Sequence, residues 1–151
     1  MKVIVVLGAT ATGKTDLAVR IAKHLKTEII NFDSLQVYRK MDIGTAKPTK
    51  ALLNEVPHHL IDIRDPNYFY TAGDFKRDAE KILKDLNAKG LCHAVLVGGT
   101  GFYLQALIKG MYDVPDVSDI AKAQTLSDMT TRGALWCLNE IVERDPEYAK
   151  N

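Results

Sequence analysis

The chain has 151 residues, 46% of them hydrophobic and 26% charged, a balance that excludes a disordered tail or a fibre and fits an ordinary soluble domain. No stretch approaches the ~20 apolar residues of a membrane span and the opening apolar run is too short for a signal peptide, so a cytoplasmic protein with no membrane partner is expected. Twenty Lys+Arg against nineteen Asp+Glu give a net charge of +1, which makes no case for a global nucleic-acid-binding field, and Cys92 and Cys137 lack the spacing of a zinc site or a disulfide framework.

Residues 2–7 form a β-branched run that ends in a glycine, the pattern of a strand buried on both faces. After a glycine-containing loop, Leu17, Ala18, Ile21, Ala22 and Leu25 recur at helical spacing, and residues 28–31 read as a second strand. Strand, helix and strand within ~30 residues make a βαβ unit. Between Pro57 and the Asp65-Pro66 turn, residues 59–63 predict a third strand. Thr71 and Asp74 then form a capping pair for a helix whose apolar stripe is Phe75, Ala79, Ile82, Leu83 and Leu86, with Gly90 at its C-terminal cap. Residues 93–97 are another buried-strand run, closing in Gly98-Gly99-Thr100-Gly101. This alternation predicts an α/β core over residues 1–110, a mostly parallel sheet covered by helices. Residues 109–151 hold five Lys/Arg and eight Asp/Glu, with Pro115 and Ser118 near their start and helical spacing in Leu135, Leu138, Ile141 and Val142. Residues 111–151 therefore read as a linker into a small helical segment.

Gly8-Ala9-Thr10-Ala11-Thr12-Gly13-Lys14-Thr15 fits GxxxxGK[ST] between a predicted strand and a predicted helix. Backbone amides of such a loop surround a diphosphate or triphosphate, Lys14 neutralises it, and the Thr15 hydroxyl holds Mg²⁺. The bland alternative is a glycine turn with a surface lysine. Asp33-Ser34-Leu35-Gln36-Val37-Tyr38 follows the second strand, so Asp33 belongs on the same carboxyl rim of the sheet, as a Mg²⁺ partner, a general base or simply a turn aspartate. The Gly98–Gly101 loop lies on that rim too; its glycines permit close backbone approach to a ligand, or Thr100 serves as a plain helix cap. His58-His59 faces both ways on a strand, which disfavours a metal pair. Arg39, Lys40, Lys47 and Lys50 are either a phosphate-contacting stretch or a solvated surface. Trp136 is expected in a core.

In their order and spacing GATATGKT, IINFDSLQVYRKMDIGTAKP, VPHHLIDI and LVGGTGFYLQALIKG resemble the bacterial tRNA dimethylallyltransferase family, also called tRNA isopentenyltransferase. The resemblance runs through nearly the whole chain. It implies a P-loop NTPase-like sheet with the start of a helical insertion, residues 111–151 being part of a tRNA-binding domain. It also implies an activity: transfer of a dimethylallyl group from dimethylallyl diphosphate to the exocyclic amine of the adenosine 3′ of the anticodon, with Mg²⁺. By that resemblance Asp33 is the general base, Thr100 stands beside the reacting centre, and Gly8 to Thr15 hold the diphosphate. Asp33, Ser34, Leu35, Gln36 and Thr100 meet the target nucleotide in the tRNA anticodon stem-loop, and a monomer is expected. Lys122 stands where the family commonly has arginine and keeps the charge while losing the bidentate fork. Family members are considerably longer, so a C-terminally truncated chain is expected. The rival readings are an adenylate isopentenyltransferase, a P-loop small-molecule kinase and an inactive diphosphate-binding fragment.

Overall fold

The computed structural model describes residues 1–111 and 117–150. The chain divides into two compact units, the first ending at Met111. In the first, β1 (Lys2–Leu7), α1 (Lys14–Leu25), β2 (Ile29–Asn31), α2 (Lys50–Glu55), β3 (His58–His59), α3 (Ala72–Ala88), β4 (His93–Gly98) and α4 (Gly101–Lys109) follow one another. The four strands form one parallel sheet in the order β1-β4-β2-β3, as the alternation of elements predicts.

Both faces are covered at the centre of the sheet, whereas β1, expected to be buried on both faces, is an edge strand with Val3, Val5 and Leu7 exposed. Alternate residues of β4 go to opposite sides, since side chains in a strand alternate. Val95 and Val97 pack with Val6, Ile29 and the α1 residues Ala18, Val19 and Ala22. Ala94 and Leu96 pack with Ile30, Phe32, the α3 residues Phe75, Ala79 and Leu86, and Tyr103 and Ala106 of α4. Full burial of each large apolar side chain contributes ~1.5–3 kcal/mol. β4 and β2, central in the sheet, are accordingly buried without alternation, Asn31 included. The predicted cap of α3 is present as a full capping box: the Thr71 hydroxyl accepts from the Asp74 amide, and Asp74 accepts from the Thr71 amide. Gly90 follows the helix at φ +82°, the left-handed position that favours glycine.

The third strand is shorter than expected. It ends at His59 because Leu60 and Asp62 adopt left-handed backbone angles, and the chain beyond pairs with a loop instead. Asp62 donates its amide to the Gln36 carbonyl at 3.1 Å, and Ile63 donates to Val37 at 2.9 Å.

In the second unit, Ser118 caps α5 (Asp119–Arg144) by accepting from the Ala121 amide, and Gly133 at φ +78° kinks the helix. Pro115, read as part of the linker, lies outside the described residues. Trp136 is not a core residue here. It is half-buried, with the Arg132 guanidinium 4.8 Å from its ring centroid.

Candidate active site

β1 delivers the chain to the first loop, where Ala11 at φ +65° and Gly13 at φ +78° curl the backbone into α1. Gly13 takes this angle at no steric cost. Thr12 Oγ1 donates to the Ala9 carbonyl at 2.8 Å, and Lys14 Nζ donates to the same carbonyl. No side chain caps α1, so its first-turn amides, at the positive end of the helix dipole, are left for an anion.

The second loop is tied to the sheet by the Phe32 amide, which donates to Val97 at 2.9 Å. Asp33 Oδ1 then accepts from the amides of Leu35 (2.9 Å) and Gln36 (3.3 Å), a turn closed by an aspartate side chain. The Ser34 amide donates to Thr100 Oγ1 at 3.0 Å, and the two hydroxyls lie 3.3 Å apart. Thr100 is therefore not the side-chain cap of α4 that its position allows; its oxygen is committed to the Asp33 loop. Gly98 is required by the same approach, because a methyl group there would lie 2.7 Å from the carbonyl carbon and oxygen of Phe32.

A third loop forms the far wall. Gln36 is buried and donates Nε2 to the Thr45 and Ala46 carbonyls, both at 3.1 Å, while Thr45 Oγ1 donates to Met41 at 2.6 Å. Lys47 Nζ, with its side chain only 5% exposed, reaches Asp42 Oδ1 and Asp62 Oδ1 at 2.7 Å each and the Tyr38 carbonyl at 3.0 Å. Burial alone would lower the Lys47 pKa, but its two carboxylate partners outweigh burial and raise it. Lys47 is thus spent inside the loop and is no phosphate contact, and Arg39 is paired with Asp65 at 3.3 Å. Of that basic stretch Lys40 and Lys50 are exposed.

These walls enclose a cavity of about 340 Å³. Thr10, Ala11, Gly13, Lys14 and Thr15 line one side, and Asp33, Gln36, Ala46 and Pro48 line others. The structure so brings the phosphate loop and Asp33 to one cleft. Gly8, Ala9, Thr12, Ser34, Leu35 and Thr100 are not among its lining residues, and Leu35 is 46% exposed. Lys122 belongs to α5, where it pairs with Asp119 at 3.3 Å.

Among the polar lining residues, Asp16, Asn31 and His58 are absent from the sequence-derived site. Asn31 is buried at the end of β2 and donates Nδ2 to Leu60 at 3.4 Å. His58 Nδ1 lies 2.7 Å from the Val56 carbonyl, whereas its Nε2 is buried with no partner among the described residues. Burial pushes the His58 imidazole below its ordinary pKa, against the Val56 hydrogen bond and with help from neighbouring His59. His59 turns the other way and meets Glu28 Oε2 at 2.6 Å. In the sequence the pair is ambiguous; only the register of β3 on β2 says which histidine shares the α1 face.

A family model described as IPP transferase matches residues 36–151. The chain is 41% identical over 148 residues to a tRNA dimethylallyltransferase of Geobacter sulfurreducens, covering 98% of this chain and 47% of that protein. It is 47% identical over 150 residues to a tRNA dimethylallyltransferase 1 of Syntrophotalea carbinolica, again 98% of this chain and 47% of the relative. Among solved structures, the tRNA isopentenylpyrophosphate transferase of Bacillus halodurans is 36% identical with a TM-score of 0.71, covering 99% of this chain and 49% of that one. A eukaryotic dimethylallyltransferase acting on tRNA gives a TM-score of 0.82 at 27% identity, with 99% and 37% covered. The chain spans about half the length of the curated relatives it matches.

Proposed function

The chain belongs to the IPP transferase family, and from that membership we propose that it carries the diphosphate cleft and proton acceptor of a tRNA dimethylallyltransferase. Residues 1–110 are the core in this reading, and residues 111–151 are part of the helical tRNA-binding domain. The observation that carries it is the shared cleft: Lys14, Thr15 and Asp33 line one cavity.

The chemistry suits those residues. A C–N bond forms between the adenosine amine and the first carbon of the dimethylallyl group as the C–O bond to diphosphate breaks. The electron pair leaves on the diphosphate oxygen, and the amine proton must go to a base. Because the amine lone pair is delocalised into the ring, a carboxylate that accepts the proton during bond formation lowers the barrier. Asp33 offers one: its Oδ1 is anchored by two amides, which leaves Oδ2 to take the proton. Lys14 and the open amides of α1 stabilise the charge that grows on the leaving group. Thr100 holds Ser34, and through it the start of the Asp33 turn. Ser34, Leu35 and Gln36 flank the target nucleotide, which must leave its stack to reach the cleft, and Lys122 serves as a tRNA phosphate contact.

The donor set fits Mg²⁺: the Thr15 hydroxyl and the Asp16 carboxylate on the same cavity are hard oxygen ligands, and Mg²⁺ needs only one or two of these beside substrate phosphates. The ion when bound supplies charge neutralisation for the departing diphosphate. Among the described residues no helix is long and apolar enough to cross a membrane, and a cytoplasmic monomer suits a tRNA substrate.

The test is incubation with labelled dimethylallyl diphosphate, Mg²⁺ and an anticodon stem-loop, using this chain and a longer protein that contains it, followed by nucleoside analysis. Prenylated adenosine in the stem-loop is the expected product. Prenylated AMP in its place, or ADP released from ATP with no prenylation, would overturn the reading.

A further inference from the structure

We propose that His58 is a positioning residue of the diphosphate cleft, its Nε2 accepting a hydrogen bond from a water carried by the divalent cation that enters with the diphosphate. The inference rests on the reading of the cleft given above and adds a residue and a role to it.

Three observations lead there. First, His58 stands opposite Ile29 in the β2–β3 pair, and residues opposite each other in a ladder share a face. Ile29 packs with Val56 and with Ala18, Val19 and Ala22 of α1, so His58 lies on the α1 side of the sheet, and it lines the cavity together with Thr10, Lys14 and Thr15. Second, the Val56 carbonyl can only accept, so the 2.7 Å contact requires the hydrogen on Nδ1. That assigns the tautomer and leaves Nε2 with a lone pair. Third, this lone pair is shielded from solvent and has no protein donor among the described residues. Burial and the neighbouring His59 both disfavour the imidazolium, which keeps the lone pair in place near neutral pH.

A shielded acceptor in a binding cleft is completed by a donor that arrives with the ligand. The ionised diphosphate presents only acceptor oxygens, and its dimethylallyl tail is apolar. Asp16 and Asp33, which line the same cavity, are acceptors as well, and Lys14 Nζ is engaged with Ala9. Thr10, Thr15 and Asn31, other donors on this cavity, make no hydrogen bond to Nε2, which leaves water as the donor. Mg²⁺ dehydrates reluctantly and keeps several waters in such sites, and its charge polarises their O–H groups. A neutral imidazole with its other nitrogen fixed by a backbone carbonyl is a suitable partner for one of those waters.

Calorimetric titration of pyrophosphate into the chain, with Mg²⁺ and with the metal chelated, tests this. Removing such an outer partner typically costs 10- to 100-fold in metal-dependent affinity. His58→Phe should therefore lose about tenfold or more with Mg²⁺ and little without it, and His58→Gln, whose amide oxygen also accepts, should recover part of the loss. In the unsubstituted chain, ¹⁵N spectra should show Nδ1 protonated throughout, and Nε2 unprotonated but shifted toward a hydrogen-bonded acceptor when Mg²⁺ and pyrophosphate are added together. An equal loss with and without Mg²⁺, unchanged binding in His58→Phe, or a proton gained at Nε2 on binding would each overturn the proposal while leaving the cleft as the diphosphate site. Failure of the unsubstituted chain to bind Mg²⁺-pyrophosphate would overturn the cleft reading and this inference with it.

Discussion

Asp33 is held by one carboxylate oxygen and free of those bonds at the other, which separates its structural role from its chemical one. Asparagine at this position keeps an Oδ1 to accept from Leu35 and Gln36, so the turn should survive while proton acceptance is lost. Asp33→Asn is accordingly expected to cut prenyl transfer by at least ~10²-fold, the usual scale for losing a general base. Mg²⁺-pyrophosphate affinity, measured by calorimetry, should change little; a parallel collapse of affinity would make Asp33 a metal ligand instead. Gly98 gives a purely steric prediction. Because the atoms in the way include the Phe32 backbone, Gly98→Ala forces the end of β2 to move and should destabilise the fold by about 1–3 kcal/mol or more. Gly99→Ala, whose methyl would meet only the Gly8 carbonyl at 3.4 Å, should lower the melting temperature less. At this scale the phosphate loop and Asp33 were legible in the sequence because each motif fits a strand end. Asn31 and His58 were not, since their value comes from facing the cleft, and facing depends on a strand register that no local pattern reveals. Lys47, left open in the sequence between a phosphate contact and a solvated surface, is neither for the same reason: its partner Asp62 is 15 residues away.

Among the elements, α3 was read best. A capping box, a 3.6-residue stripe and a terminal glycine are all local signals, and they coincide with Ala72–Ala88. The third strand is shorter than its apolar pattern over residues 59–63 implies, because the amides of Asp62 and Ile63 are claimed by the Gln36 and Val37 carbonyls. The cap of α3 carries a pH prediction. Burial alone would raise the Asp74 pKa, but the Thr71 amide and hydroxyl, Arg77 and Tyr68 outweigh it and hold the carboxyl below its usual range. A carboxyl with a depressed folded-state pKa contributes stability that is present above its unfolded value near 4 and is lost as pH falls through the folded value. Thr71→Ala should thus cost about 1 kcal/mol in urea unfolding at neutral pH. The stability gap between the unsubstituted chain and Asp74→Asn should shrink as the pH is taken below about 4. A gap that widens in acid would assign the cap's stabilisation to something other than the ionised carboxylate.

At the scale of the molecule, the alternation of strands and helices revealed the parallel sheet, because each βαβ unit is a local pattern repeated. The helical segment was less legible. Spacing shows that Leu135, Leu138, Ile141 and Val142 share a face of α5, but not what covers it, and they are 72%, 50%, 38% and 49% exposed. The relatives that match are about twice as long.

Affinity for tRNA is where that difference in length has its sharpest consequence. Residues 109–151 carry five basic against eight acidic side chains, a net −3 that repels phosphates. In the core, Lys47 is locked between Asp42 and Asp62, and the exposed Arg39 is paired with Asp65, which leaves Lys40 and Lys50 as the cations of that stretch without a carboxylate partner among the described residues. Affinity for a polyanion follows the number of phosphates neutralised, and each contact adds to the salt dependence. The chain should therefore bind Mg²⁺-pyrophosphate through its cleft yet hold an anticodon stem-loop only weakly, with a shallow slope of log affinity against log salt between about 50 and 200 mM. A full-length relative, about twice as long, is expected to bind more tightly and with a steeper slope. Fluorescence anisotropy on the two proteins under the same salts decides the matter: equal affinities and equal slopes would mean that residues 1–151 already contain the tRNA-gripping surface, and the charge argument would fall.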